Sequence, residues 1–375
     1  MHRFLFAFLL LFAVTSARAA ETIETPASHV LIMDYDTGLT LFEKNGDRPM
    51  PPASMSKLMT VEILFGKLKA GALKLDDTFL VSEKAWRMGG SKMFVEVGKQ
   101  VTIEDLIRGI IVASGNDACI VVAEGIAGSE EAFARMMTER AVELGMANSH
   151  FVDSTGLPDP EQYMSPHDLA ILAAHLIREY PDYYPYFAET SFTYGIKNPQ
   201  PNRNPLLYLN MGADGLKTGH TEVSGFGLVG SAVREGRRLI LVVNGLSSDQ
   251  ERSAESKRLM DLGFREFRLY EAFPAGAIVG EAEVWNGESA TVRLKVADPV
   301  RIMMRREARR GLKVTYAYDG PISAPVSEGQ IIGVLTVTVP DAQPVNVPVV
   351  AAENVERAGL IGRAVSAIGY LMLGE

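Results

Sequence analysis

Between His29 and Phe42 the chain reads HVLIMDYDTGLTLF, two short apolar runs joined at Asp36-Thr37-Gly38, which predicts a β-hairpin. The period then lengthens. From Ser54 to Ala70 the apolar residues Met55, Leu58, Met59, Ile63 and Leu64 share one helical face, after Pro51-Pro52 and before Gly71, predicting a buried helix. Thr102 and Asp105 form a capping box for a helix through Leu106, Ile110 and Ile111; it breaks at Ser114-Gly115-Asn116 and resumes through Ile120 and Val122. Further helices are predicted from Glu130 to Leu144, closed by Gly145, and from Pro166 to Glu179, with Ser165 as N-cap.

Residues 181–215 are rich in Pro, Asn and Tyr and read as a long loop. Strands are predicted at 223–233 and 237–245, and a helix at 251–267. The first domain is therefore an α+β antiparallel sheet with helices packed on it and a helical insertion. After Phe273-Pro274 the pattern becomes strictly alternating: Val292, Leu294 and Val296, then Leu335, Val337 and Val339, with turns at Asn286-Gly287 and Asp319-Gly320. This predicts a small all-β domain over 274–350. From 351 to 375, Ala358, Ile361, Val365, Ile368 and Met372 fall on one face of an amphipathic helix. It reads as a membrane-surface anchor, the alternative being a helix docked on its own protein; only Arg357 and Arg363 are basic and no Trp is present, which weakens anchoring.

Charge and composition narrow the class. A formal charge of −9 offers no general attraction for nucleic acid. The opening MHRFLFAFLLLFAVTSARAA has a basic start, an apolar stretch and Ala17-Arg18-Ala19, so residues 1–19 read as a secretory signal peptide, with a retained anchor as the alternative. The expected protein is thus exported, with the mature first domain spanning 20–273. The single Cys119 excludes an intramolecular disulfide and reads as a small core residue. The six histidines show no ligand-spaced pair, and neither metal nor cofactor is expected.

Three short motifs carry candidate chemistry. In Ser54-Met55-Ser56-Lys57, a lysine one turn after a serine puts amine and hydroxyl on the same helix face. A serine attacks only when a base takes its proton, and a lysine serves as base only when burial or another cation disfavours its charge. Lys217, in Lys217-Thr218-Gly219-His220, supplies such a cation directly before a predicted strand, where an extended peptide could pair and Gly219 would let backbones approach. Ser114 and Asn116 sit in the break between two apolar helices, Ser114 placed to relay protons and Asn116 to hold an amide.

Together these residues resemble the penicillin-recognising serine enzymes. Pro51-Pro52-Ala53, the run Ser114 to Cys119, His220 after Lys-Thr-Gly, the trailing β-domain and the terminal helix are similar to the periplasmic D-alanyl-D-alanine carboxypeptidases. The resemblance implies a Ser54 acyl-enzyme that removes the terminal D-alanine from peptidoglycan stem pentapeptides, with Lys57 as acylation base. It implies that Ser114 shuttles a proton to the leaving amine, Asn116 orients side chains and substrate amide, and Lys217 and Thr218 bind the carboxylate. It implies an oxyanion hole from the Ser54 and His220 N–H groups, acylation by β-lactams, and a periplasmic place at the membrane's outer face. A D,D-endopeptidase would share every one of these residues. A β-lactamase would need a water-activating carboxylate, for which 151–165 offers Glu161 but no E-x-x-x-N arrangement, and a silent wall-binding protein would have no need of Lys57.

Four other signals are read as structural. Gly225-x-Gly227-x-x-Gly230 lies in a predicted strand followed by another strand, which rejects a nucleotide loop. Arg301, Arg305, Arg306, Arg309 and Arg310 read as a solvated hairpin face, with contact to anionic lipid or wall polymer as the alternative, and Arg203 as a solvated loop residue, with an extra binding cation as the alternative. His167-Asp168 belongs to a helix start.

Overall fold

The predicted hairpin forms as β1 (His29–Asp34) and β2 (Thr40–Lys44), with Gly38 in the turn at φ +70°. The structure is a computed structural model that describes residues 23–340 and 344–359. The expected signal peptide lies outside the described residues, as does the expected helix from 360 onward. After Ala53, at φ +47°, the chain tightens into a 3-10 turn over Ala53–Ser56, and α1 (Lys57–Lys69) begins only at Lys57. The helix expected from Ser54 therefore splits in two. Leu58, Met59, Leu64 and Phe65 of α1 are fully buried, so the helix runs through the core.

Two elements too short for periodicity follow: β3 (Thr78–Leu80) and α2 (Glu83–Arg87), the latter capped by Ser82. β3 pairs with β4 (Gln100–Thr102), which leads into α3 (Ile103–Ile111). The capping box forms as read, with Asp105 N donating to Thr102 Oγ1 at 3.1 Å. α4 (Asn116–Ala127), α5 (Glu130–Glu143) and α6 (Pro166–Glu179) complete the helical section. The segment expected to be loop carries 3-10 turns at Tyr184–Ala188 and Pro205–Tyr208 and the short pair β5 (Ser191–Phe192) and β6 (Gln200–Pro201). It ends in a full strand, β7 (Ala213–Thr221). β8 (Gly225–Arg234), β9 (Arg237–Leu246) and α7 (Asp249–Glu266), capped by Ser248, follow.

The antiparallel sheet runs β2-β1-β9-β8-β7, leaving β7 at an edge. Lys217, Thr218 and Gly219 thus lie on the edge strand itself, not ahead of a strand as expected. The set-aside glycines occupy β8, and β9 follows it. The fold is α+β, as read.

The chain divides into two units between Arg268 and Leu269, ahead of the expected Phe273-Pro274. The second unit is all β, from β10 (Phe267–Phe273) through β11 (Ile278–Trp285), β12 (Thr291–Val296), β13 (Val300–Arg305) and β14 (Lys313–Tyr318). β15 (Ile322–Ser323), β16 (Ile331–Thr338) and β17 (Val345–Ala351) complete it. Its main sheet is ordered β14-β16-β17-β12-β11-β15, and the alternating Val292, Leu294, Val296, Leu335, Val337 and Val339 are its core. The arginine cluster lies mostly exposed, Arg301 3.5 Å from Glu271 and Arg309 over the Tyr270 ring.

Residues 351–359 are not the start of a helix. Ala351 N donates to Gln330 O and Val355 N to Val326 O, both at 2.9 Å, so the sheet takes their backbone groups. The helical face read from sequence starts only at Ala358, too late to compete. Among the described residues no helix is long and apolar enough to cross a membrane.

Candidate active site

Ser54 stands in the 3-10 turn that precedes α1, and Lys57 is the first residue of α1 proper. One turn apart, they point together: Lys57 Nζ lies 2.8 Å from Ser54 Oγ. The same nitrogen lies 2.8 Å from Asn116 Oδ1 and 2.6 Å from Thr155 O. Lys57 is fully buried, and that burial lowers its pKa, with the Arg203 charge adding to the effect. A neutral amine has two hydrogens and one lone pair. In the neutral form Asn116 Oδ1 and Thr155 O would accept the two hydrogens and leave the lone pair for the Ser54 hydroxyl. This is the arrangement of a base poised on a nucleophile.

Lys217 supplies the second cation. Its Nζ donates to Ser114 Oγ at 3.0 Å and to Thr218 O at 3.3 Å. Burial first, then Lys57, then Arg203, hold its pKa well below the ordinary lysine value. An anionic ligand placed beside it would favour the charged form of the amine. Ser114 is held at φ +57°, a costly conformation for a side-chain-bearing residue, at the turn between α3 and α4. Asn116 spends its amide on Gly89 O at 2.9 Å, so its carbonyl is fixed toward Lys57.

The glycines set the approach of these elements. A Cβ on Gly219 would stand 2.8 Å from Pro52 O and 3.1 Å from Ala53 Cβ, so only glycine lets β7 lie against the serine turn. His220, next on that strand, is exposed and stacks on Phe226 at 3.8 Å between ring centroids. All eight candidate residues, Ser54, Lys57, Ser114, Asn116, Lys217, Thr218, Gly219 and His220, lie on the serine turn, the α3–α4 junction or β7, whose registers bring the three motifs together.

Two participants, Thr155 and Asp117, were given no role from sequence. Thr155 contributes only its carbonyl, fixed because Thr60 Oγ1 donates to Ser154 O at 2.7 Å and Asp153 accepts from Thr155 Oγ1 and Gly156 N. Asp153-Ser154-Thr155-Gly156 is an Asx-turn signal that could have marked it. Asp117 accepts from Met93, Phe94 and Val95 N–H groups and ties that loop under α4. Arg203 is exposed, as expected, yet it donates to Ser91 Oγ at 2.8 Å and its charge bears on both lysines. Cys119 is buried, its thiol pushed up to about 12, as befits an inert core residue.

The two lysines give a stability prediction with a definite sign. Unfolded lysine holds its proton up to about 10.5, while the native lysines release theirs lower, so the unfolded state binds more protons in between. Relative to a Lys57→Met/Lys217→Met variant, the protein will lose stability as pH falls from about 10.5 toward the native-state values. The loss will be about 1.4 kcal/mol per pH unit for each lysine, and urea unfolding of both proteins between pH 7 and 10 measures it. Equal slopes would show that both lysines stay protonated in the native state.

A buried lysine on a serine and a second buried lysine on the edge strand of an α+β sheet meet in one site. The D-alanyl-D-alanine carboxypeptidase family model matches residues 14–248, and that of the penicillin-binding protein 5 C-terminal domain matches residues 267–357. The chain belongs to the D-alanyl-D-alanine carboxypeptidase family. It is 37% identical over 95% of its length to D-alanyl-D-alanine carboxypeptidase DacC of Escherichia coli, covering 92% of that protein. The crystal structure of the D-alanyl-D-alanine carboxypeptidase DacD from Francisella tularensis superposes with a TM-score of 0.78 at 30% identity, over 92% of this chain and 99% of that one. Penicillin-binding protein D2 from Listeria monocytogenes, solved in the ampicillin-bound form, superposes with a TM-score of 0.60 at 27% identity, over 66% of this chain and all of that one.

Proposed function

We propose that this chain is an exported serine carboxypeptidase that removes the terminal D-alanine from peptidoglycan stem pentapeptides through an acyl-enzyme on Ser54. The observation that carries the proposal is the buried Lys57 amine, 2.8 Å from Ser54 Oγ, 2.8 Å from Asn116 Oδ1 and 2.6 Å from Thr155 O. In the first step Lys57 takes the Ser54 proton while Oγ bonds to the carbonyl carbon between the two D-alanines. The oxyanion is met by the backbone N–H groups of Ser54 and His220. The C–N bond then breaks as Ser114, bonded to Lys217, gives a proton to the leaving amine, and the proton that Lys57 took from Ser54 replaces it on Ser114, leaving Lys57 neutral again. Asn116 fixes Lys57, while Lys217 and Thr218 hold the departing carboxylate. Water next attacks the ester carbon while Lys57 takes one of its protons, the bond from carbon to Ser54 Oγ breaks, Lys57 returns the proton to Oγ, and the shortened peptide leaves.

A β-lactam acylates the same serine, and its ester persists where no carboxylate activates water. On the 151–165 segment Lys57 donates to the Thr155 carbonyl, Asp153 accepts from Thr155 N, Thr155 Oγ1 and Gly156 N, and Glu161 is exposed, which favours the carboxypeptidase over a β-lactamase. The export signal at 1–19 and the amphipathic pattern beyond 358 support a periplasmic enzyme at the outer face of the membrane.

The test combines intact-mass spectrometry after benzylpenicillin with D-alanine release from a pentapeptide, for the protein and for Ser54→Ala. The expected result is a penicilloyl adduct and D-alanine release, both absent in the variant. Rapid penicillin turnover without adduct would favour the β-lactamase, and D-alanine release undiminished in Ser54→Ala would overturn the reading.

A further inference from the structure

Residues 298–313 carry six basic side chains, Arg301, Arg305, Arg306, Arg309, Arg310 and Lys313, against two acidic ones, Asp298 and Glu307. The rest of 269–359 is the reverse, with three basic residues against nine acidic. Those three are committed: Arg293 to Glu353 at 2.9 Å, Lys295 to Glu328 at 2.6 Å and Arg357 to Ala324 O at 3.2 Å. The second unit thus gathers charge of one sign on a single hairpin, a local field that the chain's overall −9 conceals.

Strand period places these side chains. Val300, Ile302 and Met304 of β13 enter the core, so Arg301 and Arg305 leave on the other side, about 13 Å apart along four residues of strand. A 3-10 turn over Ala308–Gly311 follows, and Lys313 opens β14. Arg306, Arg309, Arg310 and Lys313 are exposed, and Arg306, Arg310 and Lys313 have no side-chain partner among the described residues. β10 steadies two of the others. Arg301 stands 3.5 Å from Glu271, and the Arg309 guanidinium lies 5.5 Å from the Tyr270 ring centroid. A guanidinium stacked on a ring keeps the N–H donors in its plane available to an anion.

Exposure and spacing narrow the ligand. One exposed ion pair changes affinity by about two- to five-fold, so a single small anion gains little here. An anion repeated along a polymer engages several guanidinium groups together, and the effects multiply. Peptidoglycan is such a ligand, its stem peptides presenting carboxylates along a repeating glycan. A lipid surface is also densely anionic, but the topology disfavours it. Lys313 pairs with Thr338 at one end of the main sheet and Tyr318 with Gly333 at the other, about 17 Å along β14. The chain runs out at that second end, where Val355 pairs with Val326 ahead of β16, and the segment expected at the membrane surface follows residue 359.

Resting on the carboxypeptidase reading for the identity of the polymer, we infer that the β13–β14 hairpin is a binding surface for the carboxylates of peptidoglycan. It holds the enzyme on the polymer it trims through groups that do not touch the reacting atoms.

The test measures co-sedimentation of the mature protein, its Ser54 blocked with benzylpenicillin, with purified insoluble peptidoglycan. Affinity is expected to fall about ten-fold or more in the variant Arg301→Gln/Arg306→Gln/Arg309→Gln/Arg310→Gln, and likewise when the polymer's carboxylates are converted to neutral amides. Raising salt from about 0.05 to 0.3 M will weaken binding in the same way. Arg306→Gln/Arg310→Gln, which has no contact within the protein to lose, will show about four-fold or more of the loss. D-alanine release from a soluble pentapeptide will be unchanged in both variants. Lys74→Gln/Lys99→Gln/Arg135→Gln/Arg265→Gln removes the same charge from exposed positions of the first unit and is expected to keep its binding. Equal loss in that variant, or binding that survives both the hairpin variants and the amidated polymer, overturns the surface. Hairpin-dependent capture by anionic phospholipid vesicles, with none by peptidoglycan, overturns it in favour of a lipid surface. No penicilloyl adduct together with no D-alanine release overturns instead the reading on which the polymer's identity rests.

Discussion

Replacing Lys57 by alanine is expected to slow acylation of Ser54 by benzylpenicillin by about 10³-fold or more, the scale on which loss of a general base tells in serine acyl transfer. The physical reason is specific to the amine's surroundings. In the neutral form its hydrogens go to Asn116 Oδ1 and Thr155 O, so its lone pair is directed at Ser54 Oγ and nothing else nearby can replace it. Lys57→Arg will not rescue the rate, because a guanidinium stays protonated and has no lone pair to offer. Acylation in the unaltered protein will rise with pH as Lys57 loses its proton, with a midpoint below the ordinary 10.5, since burial and the Arg203 charge disfavour the ammonium. Intact-mass time courses of adduct formation from pH 5 to 10 measure both effects. A Lys57→Ala variant acylated within ten-fold of the original rate would remove lysine from the role of base.

The sequence made the nucleophile legible because its partners lie one turn apart on the chain. Ser54 and Lys57 meet across a single turn, and the Thr102–Asp105 box and Ser165 cap form from local chemistry alone. Alternation in the second unit was equally readable, since Val292, Leu294 and Val296 answer only to the period of a half-buried strand. What was missed depends on partners distant in sequence. Lys217-Thr218-Gly219-His220 has no apolar alternation because this part of β7 serves the site, so its strand is fixed by pairing with β8, Lys217 opposite Val229. Arg203 looks like any loop arginine until Ser91 and the two lysines are brought to it. Thr155 acts through a backbone carbonyl, which no side-chain motif records. Near the C-terminus the helical period dominates a long window, yet pairing to Gln330 and Val326 decides residues 351–355.

Gly156→Ala is expected to disable the site without altering any group that does chemistry. Gly156 is at φ +82°, where a side-chain-bearing residue is strained, and a Cβ there would stand 1.9 Å from Ala53 O and 2.3 Å from Ser56 Oγ. Both atoms belong to the turn that holds Ser54, and Ser56 Oγ already donates to Ala53 O at 3.0 Å. Neither a backbone carbonyl nor a buried serine can yield that distance locally, so the turn and the Thr155 carbonyl must move apart. Lys57 loses either its acceptor or its aim at Ser54, and acylation falls by about ten-fold or more, the cost of a misplacement near 1 Å. Stability falls with it, by about 2–4 kcal/mol, combining the backbone conformation with the overlap. Gly38→Ala separates the two contributions: it has a similar φ of +70°, but a Cβ there meets nothing within 4 Å. That variant will lose only about 1 kcal/mol in urea unfolding and keep its acylation rate. If Gly156→Ala matched Gly38→Ala in both measurements, the contact between this glycine and the serine turn would have no part in setting the site.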